Sequence, residues 1–256
     1  MRTAKLTVVG AGPGDEELIT LKAIKAIENA NVIMYDALIN KNLLKYAAKN
    51  ADLIFVGKRR GYKRYTQEQI NQTIVTKARL QGHVVRLKGG DPFIFGRGAE
   101  EIDYARDHGL KTYMVPGISS SIAVPAYQGI PLTKRGAAES FWVITGTTKS
   151  HKISGDIALA AKSSATVVIL MGMNKLSEIT AIFSSEGKRD TPIAIIQNGT
   201  TPNENTGIGT IATIEDIVEE KQLSSPAIIV IGEVVERRVG LDSIKRQYTE
   251  LETVLY

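Results

Sequence analysis

The chain has no cysteine, which removes thiolate nucleophiles, disulfides and every zinc site built on sulfur. Histidine is nearly as scarce. His83, His108 and His151 are the only three, and no two of them stand three or four residues apart, so no metal centre is expected. Long apolar runs are missing too. No uncharged stretch approaches the roughly 18 residues that a membrane span needs. The apolar stretch near the N-terminus runs at once into Gly12, Pro13, Gly14 and Asp15, too short and too broken for a signal peptide. A cytoplasmic protein without a membrane partner is therefore expected. Internal repeats and low-complexity tracts are also absent. What remains is 256 residues, 43% apolar and 23% charged, with 23 Gly and 8 Pro, a composition that excludes collagen, coiled coil and disorder. That length makes one large domain or two small ones and is enough to bury about three quarters of the unfolded surface. The net charge of +5 points mildly to an anionic partner: nucleic acid, a phosphate compound or a polycarboxylate.

Short β-branched runs at 6–9, 32–35, 53–56, 84–87 and 112–115 read as strands, with helical periodicity between them at 18–30 and 67–81. Strands that are apolar nearly throughout and separated by helices predict a parallel sheet covered on both faces. After Pro131 the pattern changes. Runs at 141–145, 166–171, 193–197, 207–211 and 227–231 read as strands, but only 174–185 and 215–222 read clearly as helices, which predicts a mixed sheet with hairpins. The expected fold class is α/β, with an N-terminal lobe over 1–133, a C-terminal lobe over 134–240, a charged helix or tail at the end (241–256), and a ligand cleft between the lobes.

Three glycine-rich or basic segments follow strands. The first, Gly10-Ala11-Gly12-Pro13-Gly14-Asp15, invites a dinucleotide reading, because Asp36 ends the second strand at about the distance of a ribose-binding acid. The fingerprint, however, needs a third glycine where Asp15 stands, and Asp15, Glu16 and Glu17 would face a pyrophosphate with three negative charges. A close backbone approach to a ligand without phosphate and a purely structural turn both remain open. The second runs from Val84 to Gly98, where Gly89 and Gly90 remove two Cβ atoms at the carboxyl end of a strand and Asp91-Pro92 sets a turn; ligand binding is the expectation. The third places five cations between Lys58 and Arg64, with Tyr62 and Tyr65 as stacking faces. A solvated face, nucleic acid and a polyanionic small molecule would all account for it. The serines Ser119 to Ser121 read as helix caps, the segments at 170–173 and 197–201 as loops, and all three histidines as surface residues.

Taken together, these segments resemble the tetrapyrrole methylase family from Val9 to about Val235. The GAGPGD and GGDP phrases are common to the wider family. The phrases at 35–38, 56–59, 67–71, 84–98 and 126–133 favour the branch that methylates uroporphyrinogen III. The resemblance implies two α/β lobes of the class III methyltransferase type and S-adenosylmethionine as cofactor, with S-adenosylhomocysteine as product. It implies that Pro13, Gly89, Gly90, Asp91, Ile94, Ser119, Ser120, Met171 and Gly199 bind this cofactor, with Asp36 as proton acceptor and Lys58 as proton donor. It further implies a small-molecule tetrapyrrole substrate, methylated twice to precorrin-2 for sirohaem or cobalamin synthesis, with a homodimer and neither nucleic acid nor metal. Because it already covers the length, no fused module is expected. Two alternatives remain: a methyltransferase of this fold acting on another precorrin or on rRNA, and a nucleotide-binding oxidoreductase. The chain departs from the common pattern at Lys63, Lys134 and Thr147, where relatives often have histidine, and at Leu170, where tyrosine is common.

Overall fold

The computed structural model describes residues 3–57 and 65–240. The basic run from Lys58 to Arg64, with Tyr62 and Lys63, and the segment 241–256 lie outside the described residues. The chain divides into two compact units, 1–120 and 121–256.

The first unit contains β1 (Lys5–Gly10), α1 (Leu21–Glu28), β2 (Val32–Tyr35), β3 (Asp52–Phe55), α2 (Gln67–Gln81), β4 (His83–Lys88), α3 (Gly98–Asp107) and β5 (Lys111–Val115). Its five strands pair in the order β3-β2-β4-β1-β5, and all four pairings are parallel. Alternation within each strand divides the core. Leu6, Val8, Val32, Met34 and Val84 meet α2 and α3 through Ile70, Ile74, Ala78, Ile102 and Ala105. Val9, Ile33, Val85 and Leu87 meet Ala23 and Ile27 of α1 on the opposite face. Helix α2 is fixed at its start by a capping box, with Thr66 Oγ1 accepting from Gln69 N (3.1 Å) and Gln69 Oε1 accepting from Thr66 N (2.9 Å). Ile74, fully buried on its inner face, makes truncation to Ala there cost about 2–5 kcal/mol.

Helix α4 (Ser120–Tyr127) leads into the second unit, followed by β6 (Phe141–Thr145), α5 (Asp156–Lys162), β7 (Thr166–Leu170), α6 (Leu176–Ser185), β8 (Pro192–Gln197), β9 (Asn205–Thr210), α7 (Ile214–Glu220) and β10 (Ala227–Ile231). The sheet runs β6-β7-β10-β8-β9 and is mixed as expected: β6 and β7 are parallel, while β7-β10, β10-β8 and the β8-β9 hairpin are antiparallel. Ile157, Ile179, Phe183 and Ile214 cover one face, and Val124, Ile130, Val234 and Val235 the other.

Several expectations need correction. The helix expected from residue 18 begins at Leu21, because Thr20 Oγ1 accepts from Ala23 N at 3.1 Å and a short 3-10 turn occupies Glu16–Leu18. Helices α3 and α5 were not foreseen, whereas the helix that Ser119 to Ser121 were expected to cap is α4. His83 is buried rather than at the surface. The Asn29 carbonyl can only accept, so His83 Nδ1 donates to it (2.8 Å) and Nε2 accepts from the Thr7 hydroxyl (2.8 Å). Burial, aided by Lys5, holds its pKa below the ordinary value against the opposing pull of the Asn29 carbonyl. Among the described residues no helix is long and apolar enough to cross a membrane.

Candidate active site

Parallel strands send all their carboxyl ends to one edge of the first sheet. That edge carries 11–15 after β1, Asp36 after β2, Gly57 after β3, Gly89 to Gly98 after β4, and 116–120 after β5. β1 and β4 are neighbours, yet the chain leaves β1 toward β2 and leaves β4 toward β5, on opposite sides. Such a reversal is where open α/β sheets form their binding crevice.

Glycine backbones meet at this point. Gly90 N donates to Gly12 O (2.7 Å) and Gly12 N to Gly90 O (3.3 Å), joining the loops after β1 and β4 by an isolated antiparallel bridge. A Cβ on Gly10 would lie 2.7 Å from Gly90 O, and one on Gly117 would collide with the same oxygen, so three chain segments touch main chain to main chain. Gly90 itself differs. Its φ of +65° is left-handed, while a Cβ there would find only Ser120 N and Ser119 Cα, at 3.7 and 3.8 Å.

The other expected cofactor residues of this unit lie along the same edge. The carboxylate of Asp91 accepts from Phe93 N (2.8 Å, Oδ1) and Gly117 N (3.1 Å, Oδ2), so it holds the loops after β4 and β5 together. Gly89 packs against Leu38, Pro13 is half-buried beside Gly12, Ser119 is buried, and Ser120 opens α4. Ile94 is 42% exposed between two exposed phenylalanines, Phe93 and Phe95.

Asp36 is the accessible end of a buried ionic network. Met34 pairs with Arg86 across β2 and β4, so Asp36, two residues on, shares the face of Arg86 and Lys88. Arg86 Nη2 contacts Asp36 Oδ1 at 2.6 Å, and Arg86 Nε contacts Glu101 Oε1 of α3 at 3.1 Å. Lys88 Nζ reaches the same Glu101 oxygen at 3.0 Å, and Gln67 Nε2 of α2 donates to it at 3.2 Å. Burial would depress the Arg86 guanidinium, but Glu101 and Asp36 outweigh it and hold its pKa above the ordinary value. Burial and then repulsion from Arg86 pull the Lys88 ammonium below its own, against the attraction of Glu101 and Asp36. Removing one partner from such a group costs about 3–5 kcal/mol, because the other charge stays buried. The proposed proton donor, Lys58, lies outside the described residues.

In the second unit the expected residues sit at strand ends with strained backbone. Met171, immediately after β7, has φ +56° and is 52% exposed; Thr147 Oγ1 donates to its carbonyl at 3.0 Å. Thr147, one of the departures noted above, therefore holds the Met171 turn. Gly199 lies between Asn198 (φ +50°) and Thr200 (φ +65°), and a Cβ on it would come within 2.6 Å of Val124 Cγ2. With Phe95 and Arg97 in the loop after β4, five of the seven left-handed non-glycine residues among the described residues stand in these three loops, where strain of order 1–3 kcal/mol each is concentrated. Leu170 ends β7, and Lys134 Nζ donates to the Arg237 carbonyl at 3.3 Å.

Sequence reasoning missed Arg86, Glu101 and Gln67. A signal was available: Arg86 and Lys88 alternate with apolar residues in a strand otherwise read as buried on both faces, and cations there need carboxylates nearby.

The family model described as Tetrapyrrole (Corrin/Porphyrin) Methylases matches residues 5–215. A uroporphyrinogen-III C-methyltransferase of Methanocaldococcus jannaschii is 47% identical over 235 residues, which is 91% of this chain and 97% of that protein. A protein of the same name from Priestia megaterium is also 47% identical over 235 residues, 90% of this chain and 98% of that one. Among solved structures, a uroporphyrin-III C-methyl transferase of Thermus thermophilus complexed with S-adenyl homocysteine has a TM-score of 0.78 at 33% identity, covering 91% of this chain and 99% of that one. Two sheet-and-helix units, glycine loops meeting at the strand ends of the first, and relatives matched over nearly their whole length lead to one conclusion: the chain belongs to the tetrapyrrole methylase family.

Proposed function

We propose that the chain is an S-adenosylmethionine-dependent C-methyltransferase that converts uroporphyrinogen III to precorrin-2 by two successive methylations. The names of the relatives matched end to end support this, as does the S-adenyl homocysteine in the Thermus thermophilus structure. The observation that carries it is chemical: Asp36, a carboxylate with one oxygen held by a buried guanidinium, stands on the same sheet edge as the glycine bridge.

The residues present fit S-adenosylmethionine. Along the first sheet's edge, Gly90 leaves open the space a Cβ would take and Ile94 offers an exposed apolar side chain. Pro13, Gly89, Gly90, Asp91, Ile94, Ser119 and Ser120 in the first unit, with Met171 and Gly199 in the second, would hold it. Asp91 would act by fixing the loop shape, since both its oxygens serve backbone amides. When bound, the cofactor supplies an electrophilic sulfonium methyl to a nucleophilic pyrrole carbon. The residues that hold the two in line contribute through orientation, worth about 7–11 kcal/mol at best. Asp36 accepts the proton that the macrocycle releases and Lys58 donates one, a contribution of about 10²–10⁴-fold. The cations from 58 to 64 attract the eight carboxylates of the macrocycle.

A homodimer, a cytoplasmic location and a product that feeds cobalamin synthesis follow from the family resemblance, and a product that feeds sirohaem synthesis is supported by a relative's name as well. A siroheme synthase of Klebsiella pneumoniae is 42% identical over 235 residues, and the chain spans half of its length. Anaerobic transfer of labelled methyl to uroporphyrinogen III and, in parallel, to ribosomal RNA tests the activity. Doubly methylated tetrapyrrole is expected, and label in RNA alone would overturn the proposal.

A further inference from the structure

We propose that Arg86 and Glu101 are positioning residues that set the orientation of the Asp36 carboxylate for proton transfer, an inference that rests on the reading of Asp36 as proton acceptor. The guanidinium has a single orientation available. Its Nη2 donates to Asp36, its Nε to Glu101, and its Nη1 to the Met34 and Leu87 carbonyls at 3.3 and 3.1 Å. Asp36 Oδ1 is thereby fixed, and Oδ2 accepts no hydrogen bond from any described residue, which leaves it to take a proton.

Burial shows where the network delivers its effect. The side chains of Arg86, Lys88 and Glu101 are 2%, 6% and 0% exposed, against 28% for Asp36. Apolar side chains of similar volume would fill the interior at least as stably as a buried ionic group. Stability is not what this group optimises, because Glu101 Oε2 is buried without a hydrogen-bond partner among the described residues. Glu101 Oε1 instead collects three donors, from Arg86, Lys88 and Gln67, and so locks the guanidinium from behind. Gln67 is the first residue of α2, soon after the basic run. The helix that follows the substrate-attracting segment is thus tied to the group that aims the base.

A double-mutant cycle on kcat tests this, with methyl transfer to uroporphyrinogen III as the assay and calorimetric S-adenosylhomocysteine affinity and a thermal melt as controls. Arg86→Lys should lower kcat about tenfold or more with cofactor affinity within about twofold of wild type, yet change kcat by less than about twofold in the Asp36→Asn background. Glu101→Gln, nearly isosteric, enters the same cycle, and carries the test alone if Arg86→Lys does not fold. Additive losses in the double variants would overturn the positioning role while leaving Asp36 as the base. Wild-type kcat in Asp36→Asn would overturn the reading of Asp36 itself, and this inference with it.

Discussion

Replacing Gly90 by Asn separates a ligand-contact role from a turn role. The φ of +65° is the conformation that asparagine tolerates better than other side chains, so the backbone cost should fall at or below the roughly 1–2 kcal/mol of a left-handed residue. The steric cost is negligible, because a Cβ would meet Ser120 N and Ser119 Cα only at 3.7 and 3.8 Å, ordinary van der Waals distances. A loss of about 1 kcal/mol, or about 3–5 °C in Tm for a unit of this size, is expected. Affinity should behave differently. If the bridge between Gly12 and Gly90 presents bare main chain to S-adenosylhomocysteine, the new side chain occupies that space, and losing one contact and one hydrogen bond weakens binding by about 1.4 kcal/mol or more, at least about tenfold in Kd. Gly117→Ala is the converse control. Its Cβ would collide with the Gly90 carbonyl and lie 2.8 Å from Gly10 Cα, so it should lower Tm much further, by overpacking of about 1–3 kcal/mol or more. Calorimetric titration of S-adenosylhomocysteine into folded Gly90→Asn gives the answer. Wild-type affinity would refute the reasoning and leave the glycine as a turn residue only.

Asp36→Asn should leave S-adenosylhomocysteine affinity nearly intact and lower turnover at least about tenfold, since an amide fills the same volume without accepting a proton; lost affinity at unchanged turnover would make Asp36 a ligand group instead. Lys58→Ala should lower kcat at every ionic strength, whereas Arg64→Ala should mainly raise KM at low salt, where the screening length exceeds about 10 Å; equal, salt-dependent KM effects from both would reject a proton-donor role for Lys58. Burial lowers the folded pKa of His83 below the unfolded value, so the unfolded chain takes up the proton first. Its stability contribution is therefore complete above about pH 7 and falls by at most about 1.4 kcal/mol per pH unit as pH drops through the unfolded value near 6.5. Melts of wild type and His83→Gln between pH 7.5 and 5.5 should show the steeper loss in wild type, and parallel curves would contradict it.

All ten strands were legible because each is a short apolar run closed by a glycine or a polar turn, and the two sheets differ in how many helices separate their strands. Helices α3 and α5 were not, for a physical reason. Gly98–Asp107 has acids at 100, 101, 103 and 107 and only Ile102 and Ala105 as buried apolar side chains, and it forms because those two residues and Glu101 find partners in the sheet. Asp156–Lys162 is three alanines and two larger apolar residues, too short to show a period. In the site, glycines at strand ends could be read from composition, while the role of Gly117 depends on where β5 ends relative to β1 and β4, which local sequence does not encode. The Asp36 network was hidden for the same reason: its members come from positions 36, 86, 88 and 101 and meet only through the register of β2 against β4 and the docking of α3.

That network also constrains how the gene for this chain can drift. Two buried cations are balanced by two carboxylates, one of them wholly enclosed, so no single loss of charge at Arg86, Lys88 or Glu101 keeps the interior neutral. A lineage that loses Glu101 first carries two cations against the one remaining carboxylate, Asp36; one that loses Arg86 first strands a carboxylate. Either intermediate costs about 3–5 kcal/mol, a large share of an ordinary domain's stability. Three sequence-distant segments are therefore inherited as one unit, and charge-changing substitutions within it should be found in compensating pairs or not at all.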